Sequence, residues 1–375
     1  MIYIGYYVLY DSKVRREYVT SAVNKIKYML KSFAKTYKSV DVFSMSPNKE
    51  RNYCIYPSET ITKGNVNVHH SVSWGGKGKL HLYIISQWMK IMLFFYLLFK
   101  AKKNEHVYVY HSTGYGNSIL WAKAIRKFKL ILEVEEIYSD VQKNCRNLRK
   151  YENRYFDVAD AFIFSTIMLN EKINNANKPY IVINGTYEVE DIISDKKNDG
   201  KIHVVYAGTF DVRKGSAAAA AAAEFLNEKY VIHICGFGTK TDEEALKNII
   251  QRNNEVNSCK IVFHGLLKGK DYISFLQSCH IGLSTQNPAA DFNATSFPSK
   301  ILSYLANGLS VVSINIPAIV QSEVGNYVTY YFEQTPMAIA EAIKNAPLDT
   351  NFRNIVSKLS DKFDKDVVSL KLLLK

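Results

Sequence analysis

The chain has 375 residues, 47% hydrophobic and 22% charged, with 48 Lys and Arg against 35 Asp and Glu for a net charge of +13. That length exceeds one ordinary core and calls for two domains of globular composition. Five Cys (54, 145, 235, 259 and 279) include no CxxC pair, and no secretory leader precedes them, which disfavours a zinc site and fits a reduced, cytoplasmic setting. A surface this basic attracts nucleic acid, anionic lipid or phosphorylated ligands. No zinc-finger spacing, RNP-type motif or recognition helix is present, so nucleic acid is not an expected partner.

The N-terminal half alternates strand and helix signals. Ile2–Leu9 reads as an apolar strand, 18–38 as a helix studded with Lys25, Lys27, Lys31, Lys35 and Lys38, and Ser39–Phe43 as a second strand. The run LHLYIISQWMKIMLFFYLLF (80–99), within a helix expected over 80–103, approaches bilayer-spanning length, but Gln87 and Lys90 interrupt it. It reads as a helix packed on a parallel sheet by one side. Its other side is suited to a membrane interface, and a transmembrane span is the weakest reading. With the basic helix it makes an anionic membrane surface an expected partner, peripheral on the inner face of the plasma membrane.

His106–Tyr110 is a strand with His111 at its carboxyl end, followed by a Gly-bearing turn and a helix over 115–127. A lone His there is as readily structural as catalytic. Lys129–Val134 leads into Glu133, Glu135 and Glu136, which either contact a ligand or pair with the basic helices, the pairing being slightly favoured. Helices at 147–157 and 166–175 and strands at Ala161–Ser165 and Tyr180–Ile183 complete a domain over 1–186. Strands separated by helices of this length imply βαβ units and a parallel sheet. Residues 187–200, polar and charged, read as a linker.

A second series follows, with strands at Ile202–Ala207, Tyr230–Cys235, Lys260–Phe263, Ile281–Thr285, Leu309–Ser313 and Tyr327–Tyr331. Helices are expected near 214–228, 240–254, 269–279, 298–307 and 335–345, which sets a second α/β domain over 201–350. Residues 351–375 read as a C-terminal helix returning to the first domain. In VVYAGTFDVRKG (204–215), Gly208 lets backbone approach a ligand, and Arg213 and Lys214 stand where their charges reach a diphosphate. The seven Ala of 217–223 predict a helix without side-chain bulk. IHICGFG (232–238) ends a strand in a Gly-rich turn. In TSFPSKILSYLANGLSVVS (295–313), a loop enters a helix whose first turn carries Lys300. The helix dipole favours an acid there, and a bound phosphate would explain the cation.

These motifs resemble retaining GT-B glycosyltransferases, especially the family 4 type of capsule and polysaccharide clusters. The resemblance is specific in the second domain and loose in the first. It implies two doubly wound Rossmann-like domains facing a cleft. It also implies transfer of a hexose from a nucleotide diphosphate sugar to a glycan or polyprenyl-linked glycan. In such enzymes Arg213, Lys214 and Lys300 would hold the diphosphate, Gly208 and Thr209 (where many relatives carry Arg) would border it, and Gly236 and Gly238 would flank the nucleotide. Backbone of the stretch containing His264, Gly265 and Leu266 would contact a base, UDP and GDP remaining open. Two Glu of the family, on the sugar and ribose, are replaced here by Thr295 and Ser303. Hydroxyls bond more weakly than carboxylates. Ser296 and Ser299 belong to the same loop, and Asp291 and Asn293 are candidate substitutes. His111 matches the cleft His near the transferred sugar, and Glu135 and Glu136 would lie on the acceptor side.

No DxD pair suits a catalytic cation, so neither metal nor cofactor is expected beyond the nucleotide-sugar substrate. Two alternatives stay open: a nucleotide-sugar 2-epimerase of the same fold, and a non-catalytic partner of another transferase.

Overall fold

The structure, a computed structural model, describes every residue except Tyr10, Asp11, Lys13, 142–145, 290–294 and Lys375. It divides into two compact units, Met1–Thr186 with Lys362–Lys375, and Tyr187–Asp361.

In the first unit the strands are β1 (Ile2–Gly5), β2 (Val40–Ser44), β3 (Ile55–Tyr56), β4 (Glu59–Lys63), β5 (Val66–His70), β6 (Ser73–Trp74), β7 (His106–Tyr110), β8 (Lys129–Val134), β9 (Ala161–Phe164) and β10 (Tyr180–Val182). The helices are α1 (Thr20–Thr36), α2 (Gly78–Lys100), α3 (Ser118–Arg126), α4 (Tyr138–Val141), α5 (Arg146–Val158) and α6 (Ile167–Ile173). Eight strands form one sheet in the order β10-β9-β8-β7-β1-β2-β5-β4, parallel except for the β4–β5 pair. Its central strands are buried on both faces, which is why they read as continuous apolar runs rather than alternating ones. The β4–β5 hairpin has no counterpart among the expected elements. Its outer strand, ETITK, is largely exposed at the sheet edge and lacks an apolar signal. The expected first strand stops at Gly5: its carbonyl still accepts the Met45 N–H, but beyond it the Tyr7 carbonyl accepts from the Ser44 side chain rather than from strand backbone.

The second unit holds β11 (Ile202–Thr209), β12 (Tyr230–Phe237), β13 (Lys260–Gly265), β14 (Ile281–Ser284), β15 (Ser310–Ile314) and β16 (Val328–Tyr331). Its helices are α7 (Ser216–Ala221), α8 (Lys240–Val256), α9 (Gly269–Gln277), α10 (Lys300–Ala306), α11 (Pro317–Val320) and α12 (Pro336–Lys344), and α13 (Phe352–Leu373) begins in it. The sheet is fully parallel in the order β13-β12-β11-β14-β15-β16, the doubly wound Rossmann order with its reversal between β11 and β14.

The poly-Ala segment is shorter than expected: α7 ends at Ala221 and a 3-10 turn covers Ala222–Phe225. Ala219, Ala220, Ala222 and Ala223 are buried, and the segment packs against α8 and α12. Methyl-only side chains allow that close approach. Residues 187–200 lie along the second unit rather than hanging free. Gln277 accepts from the Ile193 and Ser194 N–H groups and donates to the Asp191 carbonyl, and Lys196 Nζ donates to the Cys279 carbonyl.

Candidate functional site

A cavity of ≈ 520 Å³ opens at the carboxyl ends of the second sheet, next to the order reversal between β11 and β14. In open parallel sheets this is where ligands bind. The ends of β11 and β12 bring Gly208 and Gly236 side by side. A Cβ on Gly236, whose φ is +146°, would lie 1.7 Å from the Gly208 carbonyl oxygen, so this crossing excludes any side chain. A Cβ on Gly208 would lie 2.9 Å from Lys300 Nζ. The bare backbone at Gly208 therefore makes room for the ammonium.

Lys300 reaches this point because α10 is pinned to the strand ends. One turn after Lys300, the Tyr304 hydroxyl accepts the Ala207 N–H at 2.8 Å. The Tyr304 ring fills the space over Gly282, where a Cβ would be 2.3 Å from it. The Lys300 stem is partly exposed, but its Nζ is buried without a hydrogen-bond partner, 3.8 Å from the centre of the Tyr206 ring. Burial first, and then the neighbouring Lys214 charge, push the Lys300 ammonium down to about 7. Across the cavity wall, the buried Nε2 of Gln286 also lacks a partner. Two buried donors without partners, on residues that line one cavity, suit acceptor oxygens.

The turn carrying Lys214 is fixed from below. The Tyr206 hydroxyl is shared between the Thr209 carbonyl at 2.8 Å and the Lys214 carbonyl at 3.0 Å. Gly215, at φ +89°, closes the turn against the Thr285 backbone. Burial drives the Cys235 thiol up to about 12, so this wall residue is no nucleophile near neutrality.

Of the sequence candidates, Gly208, Thr209, Lys214, Gly236, Leu266, Ser299, Lys300 and Ser303 line the cavity. Arg213 does not. Its guanidinium is exposed and turned onto Asp211 in a two-pronged pair at 3.0 and 2.6 Å, which holds the Asp211 carboxyl down to about 2. Gly238 serves packing instead, as a Cβ there would sit 2.8 Å from Phe210 Cβ. The His264 imidazole is taken up in a chain, His264 Nε2 to His233 Nδ1 at 2.9 Å, His233 Nε2 to His203 Nδ1 at 2.8 Å, and His203 Nε2 to Asp199 at 3.0 Å. That engages its Nε2, and the following Gly265 takes φ +66° in the turn towards Leu266. Thr295 and Ser296 are half-buried beyond the cavity wall, while Asp291 and Asn293 lie outside the described residues. The sequence reading did not single out Tyr206, which sits inside the 204–215 motif, nor Tyr272 and Gln286.

In the first unit, His111 is buried, its Nε2 3.0 Å from Glu152 Oε1. Glu152 also accepts the Tyr138 and Ser139 N–H groups at the start of α4, so the pair locks one strand end to two helices. Glu135 forms an ion pair with Lys25 of α1 at 2.8 Å. That is the pairing with the basic helix which the sequence favoured, and it occupies a carboxylate assigned to an acceptor. Glu136 is half-buried. Glu133 is buried, accepts the Tyr3 hydroxyl at 2.6 Å, and is raised by burial to about 7. A group the sequence did not flag is Arg16. It is buried near the carboxyl ends of β2 and β5, with Nε and one terminal nitrogen unpartnered.

Residues 201–347 match the family described as Glycosyl transferases group 1. The matched residues make up most of the second unit. The cavity just described lies within the matched residues. No curated protein sequence matches the chain.

Among solved structures, an alpha,alpha-trehalose-phosphate synthase (UDP-forming) from Burkholderia xenovorans in complex with glucose-6-phosphate is 10% identical at a TM-score of 0.65, covering 99% of this chain and 97% of its own. A trehalose-6-phosphate structure from E. coli bound with UDP-2-fluoro glucose is 10% identical at 0.68 over 99% and 97%. An alpha,alpha-trehalose 6-phosphate synthase from Burkholderia multivorans is 12% identical at 0.63 over 100% and 94%. At these identities the likeness is one of fold: the chain has two Rossmann-like units of GT-B type.

Proposed function

We propose that this glycosyltransferase moves a hexose from a nucleotide diphosphate sugar to a glycan or lipid-linked glycan acceptor, with retention of configuration. The observation that carries the reading is the unpartnered Lys300 ammonium in a cavity bordered by Gly208, Gly236 and Lys214. A diphosphate would accept from both lysines and from the bare backbone at the strand ends. As the glycosidic bond breaks, negative charge grows on the leaving diphosphate, and Lys300 and Lys214 would stabilise it. These two cations fill the role a divalent ion plays elsewhere, so the proposed reaction is metal-independent. Leu266, Leu267, Phe237 and Tyr272 offer apolar contact for the base. Ser299, Ser303 and Gln286 offer hydrogen bonds to sugar or ribose. On the first unit, Arg16 is the group we assign to an anionic acceptor, since a buried guanidinium with two unpartnered nitrogens is costly until an anion meets it. One solved neighbour of the same fold holds glucose-6-phosphate, which is in keeping with an acceptor of that chemistry.

The test is a panel of UDP- and GDP-sugars incubated with the chain and read by mass spectrometry. Release of nucleoside diphosphate with sugar transfer or slow hydrolysis supports the proposal. Isomerised sugar would replace it with an epimerase, and absence of turnover with every donor would replace it with a non-catalytic protein.

A further inference from the structure

The helix α2 leaves one whole face without a partner. Ile85, Met89, Leu93 and Leu97 are buried at four-residue spacing in the core of the first unit. The opposite face carries Leu80, Ile84, Ile91, Phe95 and Phe99, all exposed, with Phe99 76% accessible. At 1.5 Å per residue this stripe is about 29 Å long. Neighbouring α3 extends it sideways with Trp121, 58% accessible, and Ile125, and the Trp121 ring meets Phe94 of α2 edge-on at 6.5 Å. Solvent-exposed apolar area of this extent marks an interaction surface.

Its surroundings say what it meets. Between Glu59 and Glu133 the sequence holds eleven Lys and Arg and a single acid, Glu105. Lys77 and Lys79 stand exposed at one end of the stripe, and Lys100, Lys102 and Lys103 at the other. An apolar stripe with cations at both ends suits an anionic lipid surface, the side chains entering the acyl boundary while the ammonium groups stay among headgroups. A second copy of the chain would bring like charges together.

The helix is long and apolar enough to cross a membrane. However, its inward face is part of the core, and Trp88 Nε1–H is bonded to the Val72 carbonyl at 2.8 Å. Crossing would strip that core. We infer that the first unit docks on an anionic bilayer through α2 and α3, with α2 lying in the interface plane.

The full chain would be mixed with vesicles of phosphatidylcholine alone or with phosphatidylglycerol, at low and moderate salt, and scored by co-sedimentation and Trp fluorescence. Binding at least about tenfold tighter to the anionic vesicles, weakened by salt, with a blue-shifted Trp emission, is expected. Ile91→Glu with Phe95→Glu should weaken it by about tenfold or more while the circular dichroism is unchanged. Phe99→Ser, at a more exposed position, provides the same reading if the double variant misfolds. Absence of pelleting with both vesicle types overturns the inference, as does full binding by the variants. Two further outcomes overturn it: resistance to alkaline carbonate extraction, which would indicate a spanning helix, and a dimer lost in the variants without vesicle binding, which would indicate a second copy. Every readout is independent of sugar transfer.

Discussion

Replacing Lys300 by Met tests the site most directly. The substitution keeps the stem that lies beside Tyr206 and removes the charge. In the empty protein the ammonium sits at about 7 against 10.5 for a free Lys, chiefly because it is buried. That depression corresponds to about 5 kcal/mol of disfavoured protonation, to be discounted to roughly 2–4 kcal/mol for the partly exposed stem and local relaxation. The sign follows from proton counting. Between pH 7 and 10.5 the unfolded chain binds more protons at this residue than the folded one, so the penalty is complete below 7 and fades as pH rises. Lys300→Met should therefore leave the empty protein as stable as the parent at neutral pH or more so, by up to roughly 2–4 kcal/mol.

Ligand binding reverses the balance. A diphosphate that restores the ammonium makes Lys300 take up roughly 0.9 proton at about pH 8 but only roughly 0.1 at about pH 6, where the terminal phosphate also sheds protons. Calorimetry of UDP or GDP binding in buffers of different ionisation heat reads this number. Lys300→Met should abolish the uptake and weaken nucleoside diphosphate binding by more than about tenfold. Equal uptake at the two pH values, or parent-like affinity in the variant, would refute the reasoning.

Other substitutions separate the cavity from its scaffold. Lys214→Ala should lower turnover by about 10²-fold or more with the fold intact, a loss of transition-state stabilisation read by initial rates with the active donor. Near-parent turnover in a folded protein would sink that role. Gly282→Ala places a Cβ 2.3 Å from the Tyr304 ring and should destabilise the second unit by about 2–4 kcal/mol in urea unfolding, with Lys300 displaced and donor binding lost. Glu152→Gln keeps the shape but turns an acceptor into a donor facing His111 or the Ser139 N–H, and should cost about 1–3 kcal/mol by thermal melting.

The sequence by itself determined the two α/β units and most strands, because strands buried on both faces leave continuous apolar runs whatever packs on them. It also marked Gly208, Lys214 and Lys300, since glycine at a strand end and a cation in a helix's first turn are local anomalies that point to a ligand. It could not register the β4–β5 hairpin, whose outer strand is stabilised by edge pairing rather than by apolar pattern. Nor could it sort the candidates by where their side chains go. Arg213 and Lys214 are adjacent in the chain, yet one folds onto Asp211 and the other faces the cavity. Glu135 pairs with a lysine 110 positions earlier in the chain, and Gln286, without a motif, is brought to the cavity wall by the end of β14. Burial, partner geometry and the unpaired state of the Lys300 ammonium arise only when strand ends and α10 converge, and that convergence, not any single residue, makes the site.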